Sequence, residues 1–206
     1  MPDDPKPPDS ATRAQYRVKG IIYQGTQLFF ETQVRGGFPS LLQEVRDPRL
    51  LEFIQQKFLP GSWYDVLPIA QLIRYEARAM RLSVPQYLQL RTRYQAEKDI
   101  GTVYKFLLKL VSLEQVGMRV PRIISQLFDF GTTDGRVVAP GHIELLLSGW
   151  PAVLVEWSQT AFEVYVNTAM RLSGAREAKL VLSDAIPEAA KGPVQLVTLK
   201  MDITFA

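Results

Sequence analysis

The sequence predicts an α+β fold, an N-terminal helical half packed on a C-terminal antiparallel sheet, and three features carry that expectation. Helix start signals crowd the first two thirds of the chain: Asp47-Pro48, Asp65 followed by Pro68, and Ser83-Val84-Pro85-Gln86. Strand-like alternation is confined to the last third. From Val194 to Phe205, residues Val197, Leu199, Met201, Ile203 and Phe205 share one face, and Thr198, Lys200, Asp202 and Thr204 share the other. One face is then core and one wet, as in an antiparallel sheet. Third, one long helical stretch after Pro151 interrupts the strands and sets the order ββαββ.

The elements follow in order. Residues 1–14 hold four prolines and three aspartates with almost nothing apolar, the composition of a disordered tail, so the domain is expected over residues 15–206. Tyr16 to Ile22 reads as a strand, Gln27 to Val34 as a short helix, and Gly36-Gly37 as a flexible turn. Asp47 caps a helix from Arg49 to Phe58 that ends before Pro60-Gly61, and Asp65 caps the next. Ser83 opens a helix running toward Ile100, and a further helix carries Tyr104, Phe106, Leu107, Leu110 and Val111 up to Gly117. A short turn from Pro121 to Phe128 completes the helical half. Arg136 to Val138 and His142 to Leu147 are strands divided by Pro140-Gly141. The long helix reaches Leu172 and closes with Gly174, before strands at Ala178–Leu182 and Val194–Phe205.

Composition restricts the chemistry. The 206 residues contain one histidine and no cysteine, which excludes a thiol nucleophile, a cysteine zinc site and a multi-histidine metal cage. His142 falls on a strand face opposite Ile143 and Leu145, a poor position for a catalytic base. The nucleophile-elbow, zinc-protease, CxxC and dinucleotide-binding patterns are all missing. No catalytic, cofactor-binding or metal-ligating residue is assigned, and the chain is expected not to be an enzyme. Absence of cysteine and a polar, unsignal-like start suit the cytoplasm, and no apolar run approaches the roughly 18 residues of a membrane span. Ten Lys/Arg against four acids between Arg74 and Arg122 leave a basic excess. Its members do not share one helical stripe, so nucleic acid is not the expected partner.

Two helices break the ordinary amphipathic pattern. At about 100° per residue, Ile69, Leu72, Ile73 and Met80 cluster on one side, and Glu76 falls inside the cluster. A carboxylate there must be paired, hydrogen-bonded or protonated. It is either a site acid with a raised pKa or a structural contact to an arginine or tyrosine. On the long helix, Leu154, Trp157, Ala161, Phe162, Val164, Tyr165, Val166, Ala169 and Leu172 cover more than half the circumference. That helix is sandwiched between layers, lines an apolar pocket, or forms a subunit contact.

The order of short motifs resembles a paralogous family of myxobacterial proteins with no assigned activity. The motifs are Val18-x-Gly20, Trp63-Tyr64-Asp65-Val66-Leu67-Pro68, Ser83-x-Pro85-x-Tyr87, Pro121 ahead of Phe128-Asp129-Phe130, Gly149-Trp150-Pro151 and Leu172-x-Gly174-Ala175. That family is in turn similar to the heme nitric-oxide-binding and four-vinyl-reductase-like domains, including trafficking subunits of the same fold. The resemblance implies helices packed on an antiparallel sheet with an apolar cavity between them. It implies no functional residue: the heme-binding relatives carry a proximal histidine on the helix ahead of the sheet and a Tyr-x-Ser-x-Arg strand triplet. Residues 100–130 contain no histidine and residues 142–148 no such triplet, so the heme is not expected.

The expected function is a non-catalytic interaction or regulatory module. It would act through the apolar face of the long helix and the Trp63-Tyr64 corner in contact with a protein partner or a second copy. The alternative is a small-molecule sensor without heme, whose apolar pocket, lined by Phe106, Leu110, Trp157, Phe162 and Tyr165, takes a hydrophobic ligand.

Overall fold

A computed structural model of the chain describes residues 15–99 and 112–206. Strand β1 (Arg17–Lys19) pairs antiparallel with β2 (Trp63–Asp65), Val18 opposite Tyr64. Between them lie three helices, α1 (Ile21–Gln33), α2 (Gly37–Glu44) and α3 (Pro48–Gln55). The strand expected through Ile22 is therefore three residues long. Helix α1 starts six residues ahead of Gln27, because the Gly20 amide bonds to Ser62 O at 2.9 Å and turns the chain. Ile21 faces solvent while Tyr23 is buried, a helical arrangement that the β-branched pair Ile21-Ile22 disguises. The Gly36-Gly37 turn is a helix start, with Gly36 left-handed at φ 90°. Asp47 caps α3 as expected, its Oδ1 accepting from the Arg49 and Leu50 amides at 2.8 and 3.2 Å.

Helix α4 (Ile69–Ala79) follows Asp65, whose Oδ1 accepts the Leu67 amide. Helix α5 (Val84–Asp99) opens on the Ser83–Gln86 exchange of side-chain and backbone bonds. The helix expected around Phe106 and Leu110 lies outside the described residues. Short helices α6 (Leu113–Gly117) and α7 (Val120–Leu127) lead to the sheet, α7 replacing the turn expected at Pro121.

Strands β3 (Thr132–Ala139) and β4 (His142–Pro151) form a hairpin. A 3-10 turn (Ala152–Leu154) then leads into α8 (Val155–Leu172), with Gly174 left-handed behind it. Strands β5 (Ala178–Leu182), the short β6 (Ile186–Pro187) and β7 (Leu196–Phe205) complete the antiparallel order β3-β4-β7-β5, with β6 on β7. Gly149-Trp150-Pro151, ahead of the long helix, belongs to β4, where a register shift between Leu147 and Trp150 lets Trp150 pair with Val197.

The alternation in β7 places Val197, Leu199, Met201 and Ile203 in the core beside Ile143, Leu145 and Leu147 of β4, while Phe205 is only half-buried. Helix α8 packs against β5 on one side and against α5, α6 and α4 on the other. It is sandwiched, which accounts for its broad apolar circumference. Among the described residues no helix is long and apolar enough to cross a membrane.

Candidate functional site

Glu76 is the acid that the helical pattern of α4 places in the core, and the structure puts it there, 3% exposed. Ile69, Leu72, Ile73 and Glu76 are spaced at i, i+3, i+4 and i+7, so they line one face of α4. From α5, Tyr87, Leu88 and Arg91 face them, spaced by one and then three residues. Helix α1 adds Ile22, Tyr23 and Thr26, and α8 adds Trp157. These side chains surround a cavity of about 10 Å³, the space of a single water.

Its chemistry is polar inside an apolar wall. Glu76 Oε1 and the Tyr87 hydroxyl are both buried and act on each other and on Thr26, yet neither completes a hydrogen bond of ordinary geometry. Arg91, itself 7% exposed, reaches past them to α1, donating to Ile22 O at 2.9 Å and Thr26 Oγ1 at 3.4 Å. Burial pushes the Glu76 carboxyl up to about 7; the Arg91 charge and the Tyr87 and Thr26 hydroxyls oppose the rise without reversing it. Burial likewise holds the Tyr23 and Tyr87 hydroxyls well above the ordinary phenol range, so both are neutral. Tyr23 donates to Asp65 O at 2.5 Å, linking the cavity wall to β2. The site therefore holds one carboxyl group, one guanidinium and three hydroxyl groups around a space the size of water.

The other expected residues lie elsewhere. Trp157 lines the cavity and also meets the ring of Phe128 at 6.1 Å, and Phe128 in turn meets Trp150 at 4.9 Å. Phe162 packs on that same Trp150 at 5.6 Å. Trp157 and Phe162 thus share an aromatic cluster rather than an open pocket, and Tyr165 is half-buried on the same helix. Phe106 and Leu110 lie outside the described residues. Trp63 and Tyr64 are half-buried in β2: Lys19 Nζ sits 3.7 Å over the Trp63 ring, and the Tyr64 hydroxyl accepts the Leu59 amide at 2.9 Å. Sequence reading missed Tyr87, Arg91 and Thr26. Arg91 follows the buried Tyr87 by four residues, so an arginine on an apolar stripe was the available signal.

An antiparallel sheet with a helical layer in front and one long helix between them defines the class. Solved structures of H-NOX domains share it over nearly their whole length. A point variant of Tt H-NOX matches with a TM-score of 0.63 at 13% identity, over 91% of this chain and 94% of that one. An oxygen-binding H-NOX domain related to soluble guanylate cyclases matches at 0.62 and 12%, again over 91% and 94%. A structure addressing H-NOX activation matches at 0.62 and 11%, over 91% and 96%. The chain has the H-NOX fold. No protein-family model and no curated protein matches it.

A histidine-ligated heme does not fit these residues. His142, the single histidine, stands on the face of β4 turned away from the core, its Nε2 3.0 Å from Asp202 Oδ1 on β7. Around it Arg136, Glu144 and Lys200 form further ion pairs across β3, β4 and β7, with Glu144 to Arg136 at 2.6 Å and to Lys200 at 2.7 Å. The ring is one member of a surface charge lattice.

Proposed function

We propose that this chain is a non-catalytic sensor domain of the H-NOX fold that receives a small molecule at the Glu76–Tyr87–Arg91 cavity without heme. The observation that carries the reading is a buried polar pair lining one cavity, Glu76 Oε1 and the Tyr87 hydroxyl, neither of which completes a hydrogen bond of ordinary geometry. Buried polar groups are nearly always satisfied, so two such groups facing one space suit an interior guest. The water-sized space between the walls of Ile22, Ile69, Leu72, Ile73 and Leu88 limits the guest to one or two heavy atoms, with a hydrogen-bonding group directed at the acid and the phenol. Solved H-NOX domains with this fold include an oxygen-binding one, which supports reading the fold's interior as a receiving site. The cytoplasm is the compartment that a cysteine-free chain suits, and the myxobacterial family is its proposed kin.

Native mass spectrometry of gently purified protein tests the proposal. A co-purifying small mass that Tyr87→Phe and Glu76→Gln weaken supports it. A clean apo mass at twice the chain mass overturns it in favour of an interaction module working through the Trp63-Tyr64 corner.

A further inference from the structure

We propose that Glu76 and Arg91 form a proton-operated latch, which ties α1 to α5 while Glu76 is neutral and releases α1 when Glu76 ionises. The latch does not depend on a ligand occupying the cavity. The tie is visible: the Arg91 guanidinium leaves α5, crosses the cavity edge and donates to Ile22 O and Thr26 Oγ1 of α1. It passes over Gly25, where a Cβ would meet Gln95 Oε1 at 2.6 Å and Arg91 Nη2 at 3.0 Å. A side chain there would displace the Gln95 amide and crowd the guanidinium, so α1 and α5 approach closely at the arginine.

Glu76 lines the same cavity from α4, and its Oε1 completes no hydrogen bond of ordinary geometry. Burial favours the neutral carboxyl over the carboxylate there, and among the described residues the cation that acts on it is Arg91. On ionisation the proton passes to solvent and the guanidinium gains a charged acceptor on α4. Ile22 O then loses the arginine but keeps its helical partner, the amide four residues on, so release leaves no orphan carbonyl on α1. Among the described residues, the groups facing Glu76 are few. From α1 come Tyr23 and Thr26, and from α5 Tyr87 and Arg91, while Trp157 of α8 carries no charge. Asp65 of β2 acts on Tyr23 rather than on Glu76. Glu156 of α8 is engaged at the surface with Arg74 of α4 at 3.5 Å. Burial places the titration of Glu76 at about 7, inside the range where a cell's pH moves.

Hydrogen-exchange protection factors for the amides of Tyr23 to Phe30, corrected for intrinsic exchange, read the latch directly. The expected result is a roughly tenfold loss of protection in α1 between pH 6 and pH 8, the size of one pKa unit. Glu76→Gln should abolish that loss, and Arg91→Met should give low protection at both pH values. Equal wild-type protection at the two pH values, or an unchanged pH response in Glu76→Gln, overturns the proposal. An infrared measurement on the wild-type chain needs no variant to fold. A protonated-carboxyl band should be present at pH 6 and lost at pH 8, and its absence at pH 6 overturns the latch.

Discussion

The indole Nε1 of Trp150, at the end of β4, donates to Ser158 Oγ in the first turn of α8 at 3.1 Å, and both residues are fully buried. Ser158 passes the bond on to Leu154 O at 2.8 Å. One hydroxyl therefore satisfies the only polar atom of a fully buried indole and fixes the angle between sheet and helix. Replacing Ser158 with alanine leaves the indole donor unpaired and should lower the free energy of unfolding by about 1–3 kcal/mol. Urea unfolding measures it, and an unchanged midpoint would mean that the ring has found another acceptor.

Glu76 ties stability to pH. Its folded-state pKa is raised from an ordinary 4.5 to about 7, so the unfolded chain releases the proton first. The stabilisation is full below about pH 4.5, is lost as pH rises toward 7, and changes little above that, a total of about 3 kcal/mol. Glu76→Gln should flatten this slope and be more stable than wild type at pH 8. Parallel unfolding curves of the two proteins from pH 4.5 to 8 decide the matter.

His142 should prove replaceable. Its pair with Asp202 is about one-third exposed on each side, and such pairs contribute about 0–1 kcal/mol. His142→Gln is expected to shift unfolding by less than about 1 kcal/mol and to leave any small-molecule binding at the Glu76 cavity unchanged. Loss of binding in that variant would show that the sheet face takes part.

Gly36 is held at φ 90° at the start of α2, with Ser40 Cβ only 3.3 Å from where a Cβ would stand. Gly36→Ala should destabilise by about 1–2 kcal/mol through left-handed strain. Gly61, with open space around it, provides the control: Gly61→Ala should not reproduce the loss.

The parts of the fold that announce themselves locally were legible in the sequence. Asp47-Pro48 and Ser83–Gln86 mark helix starts through side-chain bonds made within three residues, and β7 declares its buried face by simple alternation. Glu76 was legible for the same reason, as a charge out of place on a helical stripe. Tertiary context decided the rest. Ile21-Ile22 carries a strand-like composition but turns helical because Gly20 bonds to Ser62, more than forty residues away. Trp63 to Asp65 becomes a strand only because Arg17 to Lys19 lies beside it. The site itself draws on four helices, so no stretch of sequence contains it. The breadth of the apolar face on α8 left sandwiching, a pocket and a contact surface open, and the sheet and helices packed on it account for it by sandwiching.

The strand order β3-β4-β7-β5 has a consequence for the chain as it is made. Strand β7 is translated after every strand it joins, yet it is the one that lies between β4 and β5. Until Leu196 to Phe205 leaves the ribosome, β4 offers an open edge bearing Ile143, Leu145 and Leu147, and β5 has no partner among the described strands. A nascent chain in that condition is a template for pairing with its neighbours. Translational pausing ahead of residue 196 should therefore promote aggregation, whereas a pause in the helical half should be harmless.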